Sequence, residues 1–204
     1  MTSQESQLFF QRKNKNKDFT LIARDCVGGA LYHQLGLRFL SPTINLFFIP
    51  EDFNQFCLHL RDYIDGQLIE FKDKNTDYPV GLLYPTSGIK PVRIDFMHYD
   101  SFEEAFHKWN ERKERINWEN IFVLSTMCYP KETAVITPQL IEEWNKIPYK
   151  KVMLVDKEYG FDDEYVIEKP SRCHEYAWLL FTPGWKHKWK KTFNKFNFIK
   201  FFNR

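Results

Sequence analysis

One stretch constrains the fold more than any other. The segment SFEEAFHKWNERKERI (residues 101–116) stands between two apolar runs rich in strand formers, VRIDFMHY (92–99) and IFVLS (121–125). Within it Phe102, Ala105, Phe106, Trp109 and Ile116 recur at helical spacing, so the spacing predicts a helix with one buried stripe. Ser101 and Glu104 form a capping-box pattern at its start. Glu104/Lys108 and Glu111/Arg115 read as i,i+4 pairs on its outer face. A helix between two short strands is the unit from which parallel sheets are built.

The rest of the chain repeats that alternation. FTLIA (19–23) is a short strand, and RDCVGGALYHQLG then reads as a tight turn opening a helix that Gly36 closes. NLFFI (45–49) is expected to be a second buried strand. After Pro50, residues Phe53, Phe56, Cys57, Leu60 and Ile64 share one helical face, and Gly66 ends the helix. LIEF (68–71), PVGLLY (79–84) and VRIDFMHY read as three strands joined by polar turns. Thr137-Pro138 caps a further helix carrying Leu140, Ile141 and Trp144, and KVMLVD (151–156) is a last strand. The expected architecture is an α/β three-layer sandwich. Its mainly parallel, mixed sheet is flanked by helices, with two or three antiparallel strands inserted mid-chain and a basic amphipathic helix at the C-terminus.

Length allows one domain with terminal appendages: a basic arm over 1–17, a single domain over 18–183 and a basic aromatic tail over 184–204. The 20 Phe, 10 Tyr and 6 Trp supply enough apolar surface for a real core, which excludes disorder across the whole chain. The first 17 residues, MTSQESQLFFQRKNKNK, hold no apolar segment of the kind an export signal needs, so a cytoplasmic location is expected. In that compartment Cys26, Cys57, Cys128 and Cys173 would be reduced thiols; they form no CxxC pair, and no metal site is expected.

Function is sought first at the turn after the opening strand, Asp25-Cys26-Val27-Gly28-Gly29. In open α/β sheets ligands bind beyond the carboxyl ends of strands, where helix N-termini present N–H groups. A thiol there feels the positive end of the helix dipole, and the amides of Gly28 and Gly29 suit an oxyanion or phosphate. Against this stands the structural reading, in which Cys26 ends a core strand and the glycines only tighten the turn. Thiol chemistry needs a base, and His98 is the histidine placed at the carboxyl end of a strand. Asp25 beside Cys26 is suited to capping the helix, but its negative charge raises the thiol pKa and opposes activation.

Two blocks carry a family resemblance. FTLIARDCVGGALYHQLGLRFLSPTINLFF with EDFNQF, then YPVG with RIDFMHYDSFEEAFHKWNERKERINWENIFVL, resemble bacterial proteins of exopolysaccharide and capsular polysaccharide gene clusters, catalogued as the domain of unknown function DUF1919. The resemblance covers roughly residues 18–155 and leaves the last fifty outside. It implies a cytoplasmic protein acting on surface polysaccharide or its lipid-linked precursors, transferase chemistry being the expectation, with Cys26 and His98 as its catalytic pair. Gly28, Gly29, Arg112, Arg115 and Asn117 are the matching positions that would bind the ligand, and acyl-CoA is the donor an acyltransferase would use. A glycosyl- or phosphotransferase and a non-catalytic assembly factor are the alternatives.

The tail GWKHKWKKTFNKFNFIKFFNR holds six lysines and one arginine and no acid, +7 against −5 for the remainder of a chain whose net charge is +2. Trp185, Trp189, Phe193 and Phe196 would line one face of a helix there. That pattern suits an anionic membrane surface first, docking on the protein's own body second, and nucleic acid last.

Overall fold

The computed structural model describes residues 3–127, 136–167 and 196–204. Four strands form a parallel sheet in the order β1 (Thr20–Ala23), β5 (Ile121–Met127), β6 (Lys150–Val155), β7 (Glu164–Val166). Between β1 and β5 in sequence come α2 (Val27–Leu35), α3 (Pro50–Leu58), α4 (Leu60–Ile64), β2 (Gln67–Glu70), β3 (Val80–Tyr84), β4 (Val92–Asp95) and α5 (Phe102–Lys113). Helix α1 (Ser3–Lys13) precedes β1, α6 (Pro138–Asn145) separates β5 from β6, and a short α7 (Phe198–Phe202) ends the chain. The α/β class expected from the sequence is observed.

Strand alternation divides the core into two. Ile22, Ile121, Val123, Met153 and Val155 point to one face, where they pack on α3 to α6 through Phe53, Phe56, Trp109, Leu140 and Trp144. Leu21, Ala23, Phe122, Leu124, Val152 and Leu154 point to the other, against α2 and α7. A period of two sends neighbouring residues to opposite faces, which is why runs such as LIA and FVL must be apolar throughout.

The mid-chain strands do not join this sheet. β2, β3 and β4 form a separate antiparallel sheet whose inner face, with Leu68, Leu83, Val92 and Ile94, closes the first core from outside. NLFFI is not a strand either. Asn45 sits at φ 60°, and neighbouring residues bond to different sheets. Phe47 exchanges two backbone hydrogen bonds with Asp95 at the end of β4, while the Phe48 amide donates to the Arg24 carbonyl at the end of β1. A ladder needs one continuous partner, and this segment instead ties the two sheets together.

The expected helix over 50–64 breaks at His59, whose φ of −121° ends α3 and starts α4. Ser101 caps α5 by accepting from the Glu104 amide at 3.2 Å, and Thr137 caps α6 by accepting from Leu140 at 3.1 Å. On α5 the carboxylate of Glu111 takes both Arg115 and Lys108, so the expected Glu104/Lys108 pair is replaced by an i,i+3 contact.

Both ends of the chain belong to this body. Helix α1 lies on α2, with the Gln7 side-chain amide donating to the His33 carbonyl at 2.8 Å. Phe202 stacks on Phe19 at 4.5 Å and meets Phe122 edge-on at 5.4 Å. Asn203 then accepts from the Lys15 and Asn16 amides and donates to the Lys13 carbonyl. Phe196 rests against Tyr165 at 5.0 Å. The end of the basic tail is therefore core, docked on the body; Trp185, Trp189 and Phe193 lie outside the described residues.

Candidate functional site

Where the helices go marks the carboxyl end of the parallel sheet as the place to look for a site. β1 and β5 are neighbours, yet α2 after β1 covers one face, and α6, the next described helix after β5, covers the other. Adjacent strands whose exits part to opposite faces leave an opening between their carboxyl ends, where open α/β sheets hold ligands. Asp25 and Cys26 stand at the end of β1, and Thr126 near the end of β5.

Asp25 is 4% exposed and spans the gap. One carboxylate oxygen accepts from the Val27 amide at 2.9 Å, at the first turn of α2, and the other accepts from the Thr126 hydroxyl. Arg24, fully buried, ties the same strand ends: its guanidinium donates to the Thr126 carbonyl at 2.6 Å and the Phe48 carbonyl at 3.2 Å, across the Phe47 ring. These four-way attachments make the floor rigid.

Cys26 is the N-cap of α2 and is partly exposed. Its thiol pKa is pushed up to about 12, by burial first and by the Asp25 charge second. The dipole of a nine-residue helix, worth at most about 2 kcal/mol, is outweighed, so the helix N-terminus yields no preformed thiolate. The expectation that Asp25 opposes activation holds.

The glycines have a packing role. A Cβ on Gly28 would lie 2.6 Å from Ala23 Cβ, so its absence lets α2 settle on β1. The Gly28 amide is taken by the Asp25 carbonyl at 3.4 Å. A Cβ on Gly29 would approach Asn45 Oδ1 and Ile44 Cγ2 at 3.3 Å. Both glycines are buried, which argues against the expected phosphate or oxyanion cradle.

His98 does not meet Cys26. Strand β4 ends at Asp95, and Met97-His98 form a turn closed by the Tyr99 amide donating to the Phe96 carbonyl at 3.1 Å. The turn shifts the alternation by one residue, leaving His98 exposed and sending Tyr99 inward. Among the described residues His98 makes no hydrogen bond. Tyr99 donates to the Ile44 carbonyl at 2.9 Å and accepts from Arg112 at 2.7 Å. Its phenol pKa is raised, chiefly by burial, with Glu104 and Cys26 adding to the rise and Arg112 opposing it. Tyr99 is thus the residue of that turn that shares the Cys26 neighbourhood.

Arg112 also lies over the Phe39 ring at 5.4 Å. Arg115, three residues on, pairs with Glu111 and donates to the Phe39 carbonyl at 3.4 Å. Asn117 belongs elsewhere. Its amide donates to Thr20 Oγ1 at 2.8 Å and its side chain to the Asp18 carbonyl at 3.2 Å. Those partners mark the amino end of β1, the far end of the strand from Cys26, so the expected role beside Cys26 is replaced by a strand-entry clamp.

Ser41 and Thr43 close the open edge of β1: Thr43 Oγ1 accepts from the Ala23 amide at 3.0 Å and contacts Ser41 Oγ at 3.0 Å. Sequence reasoning missed Thr126 as a member of the neighbourhood and gave Tyr99, one of the matching positions, no role. Tyr99 had a signal in the Ser101 cap, which fixes where the chain must turn; Thr126 had none. Among the described residues no three His, Cys, Asp or Glu side chains converge as metal ligands, and no helix is long and apolar enough to cross a membrane.

A family model described as a domain of unknown function, DUF1919, matches residues 1–203. The chain belongs to that family. The match reaches well past the 18–155 expected from the sequence, in keeping with the burial of α7 against β1 and β5. An uncharacterized protein of Haemophilus influenzae is 31% identical over 195 residues, covering 95% of this chain and 88% of its own length.

Proposed function

We propose that this DUF1919 protein is a transferase of bacterial surface-polysaccharide biosynthesis that holds its substrate in the crevice between the carboxyl ends of β1 and β5. The observation that supports this most is the parting of α2 and α6 to opposite faces above Asp25, Cys26 and Thr126. A rigid, polar floor under such an opening suits a ligand with hydroxyl groups, such as a glycan or its lipid-linked precursor. The thiol, held protonated below pH ~12, favours direct transfer between two bound substrates over a covalent enzyme intermediate. In this reading Cys26 lines the site and Asp25 orients the turn.

The covalent acyltransferase reading stands second, on Cys26 being a partly exposed residue at the first strand-to-helix turn. There the sulfur attacks the carbonyl of an acyl-CoA, a thioester forms, and the coenzyme leaves as its thiol with the Cys26 proton. A sugar hydroxyl then takes the acyl group, returns its proton to the sulfur and frees Cys26. His98 would be the base only if its turn brought it inward. The composition of 184–195, rich in Lys with two Trp, supports contact with anionic lipid, where lipid-linked glycans reside.

Surface glycans from cells carrying Cys26→Ala and Thr126→Val chains test both. Direct transfer expects Cys26→Ala to keep glycan product and Thr126→Val to reduce it. Loss with Cys26→Ala, together with an acyl adduct on Cys26 by intact mass, establishes the covalent route instead. Unchanged glycans when the whole gene is removed would sink the transferase reading.

A further inference from the structure

Arg112 is a half-buried cation whose described partners are all neutral. One guanidinium nitrogen donates to the Tyr99 hydroxyl at 2.7 Å, and the group lies over the face of Phe39. No carboxylate among the described residues pairs with it. Its neighbour Arg115, just past the end of that helix, is neutralised by Glu111, and Arg93 on β4 by Asp73 and Asp95. A guanidinium carries five N–H donors in a rigid fork. Tyr99 engages one, which leaves an edge able to take an oxyanion in two parallel hydrogen bonds.

Tyr99 is held as a donor to the Ile44 carbonyl, so Arg112 is the donor toward the phenol oxygen and its own orientation is fixed from both sides. The 44–45 backbone that Tyr99 grips is the one packed on Gly29, one turn into the Cys26 helix. Tyr99 and the 44–45 backbone thus link Arg112 to the helix that Cys26 caps.

We propose that Arg112 is the oxyanion-binding residue of the Cys26 site and that the group it takes is a diphosphate. The substrate class rests on the transferase reading above, because activated sugar donors and polyprenyl carriers share that group. Two sources present it: a nucleoside diphosphate sugar and a polyprenyl diphosphate glycan.

Isothermal titration of the full chain with inorganic pyrophosphate, in magnesium-free buffer, tests the assignment. The wild type is expected to bind saturably, Arg112→Gln at least tenfold more weakly, and Arg115→Gln within threefold of wild type. Should the glutamine variant fail to fold, Arg112→Lys keeps the charge and loses the fork, and at least a fivefold loss is expected. Equal affinity in either Arg112 variant, or no binding of pyrophosphate by the wild type, overturns the proposal. Glucuronate binding in place of pyrophosphate overturns the diphosphate class. Uridine diphosphate and farnesyl diphosphate, titrated in parallel, separate the two sources. These titrations read no glycan, so their failure and the failure of the transferase reading are seen in different experiments.

Discussion

Reaction of Cys26 with a small disulfide measures the balance of forces at the crevice. With its pKa near 12, about one thiol in ten thousand is ionised at pH 8, against about a quarter for an unperturbed cysteine of pKa ~8.5. The thiolate that does form is the more basic, and a Brønsted slope of ~0.4–0.5 returns roughly 25- to 55-fold. Cys26 should then react roughly 40- to 100-fold more slowly than glutathione at pH 8. Its rate should climb tenfold per pH unit to pH 10, where an ordinary thiol has levelled off. Site-resolved mass spectrometry after timed quenching separates Cys26 from Cys57, which is fully buried and whose pKa is also raised, and from Cys128 and Cys173. Asp25→Asn should quicken Cys26 without restoring ordinary reactivity, because burial is the larger cause. A rate at or above that of glutathione, or a plateau below pH 9, would refute the reasoning and revive the activated nucleophile.

The remaining predictions concern what holds the site in place. Phe202→Ala should cost about 3–5 kcal/mol, since the ring is fully buried on Phe19 and Phe122; for a chain of this length that is a drop of roughly 6–20 °C in Tm, and a change under 3 °C by circular dichroism would mean the tail is not core. Gly28→Ala should destabilise by about 1–3 kcal/mol through overpacking on Ala23, visible as a lower urea midpoint; an unchanged midpoint would show that α2 can shift away from β1. Stability should fall as pH rises above about 8.5. Cys26 and Tyr63, both raised to about 12, hold their protons more tightly folded than unfolded, so their contribution is present at neutral pH and lost through the alkaline range. Urea midpoints flat between pH 8 and 11 would contradict this.

The alternation of strand and helix, both side-chain caps and the two-faced apolar strands were legible in the residues, because each depends on neighbours within a turn or a pleat. Period-two logic failed at His98 for a physical reason. The strand stops at Asp95, and a turn of two residues exchanges inside for outside. NLFFI has the composition of a strand but becomes a tie between sheets, since pairing depends on which partners surround it.

At the site the sequence determined the residue types and their place at the first strand-to-helix turn, including the acid that opposes the thiol. Only tertiary structure decided their roles. Burial sets the sign and size of the Cys26 shift, contact with Ala23 makes Gly28 a packing residue, and the distance along β1 removes Asn117 from the site. Residues as far apart as Asp25 and Thr126, or Arg112 and Tyr99, become partners through strand order and helix placement. Long-range contacts carry no periodic signal in one chain, so the switch point appears only when the two faces of the sheet are covered by different helices.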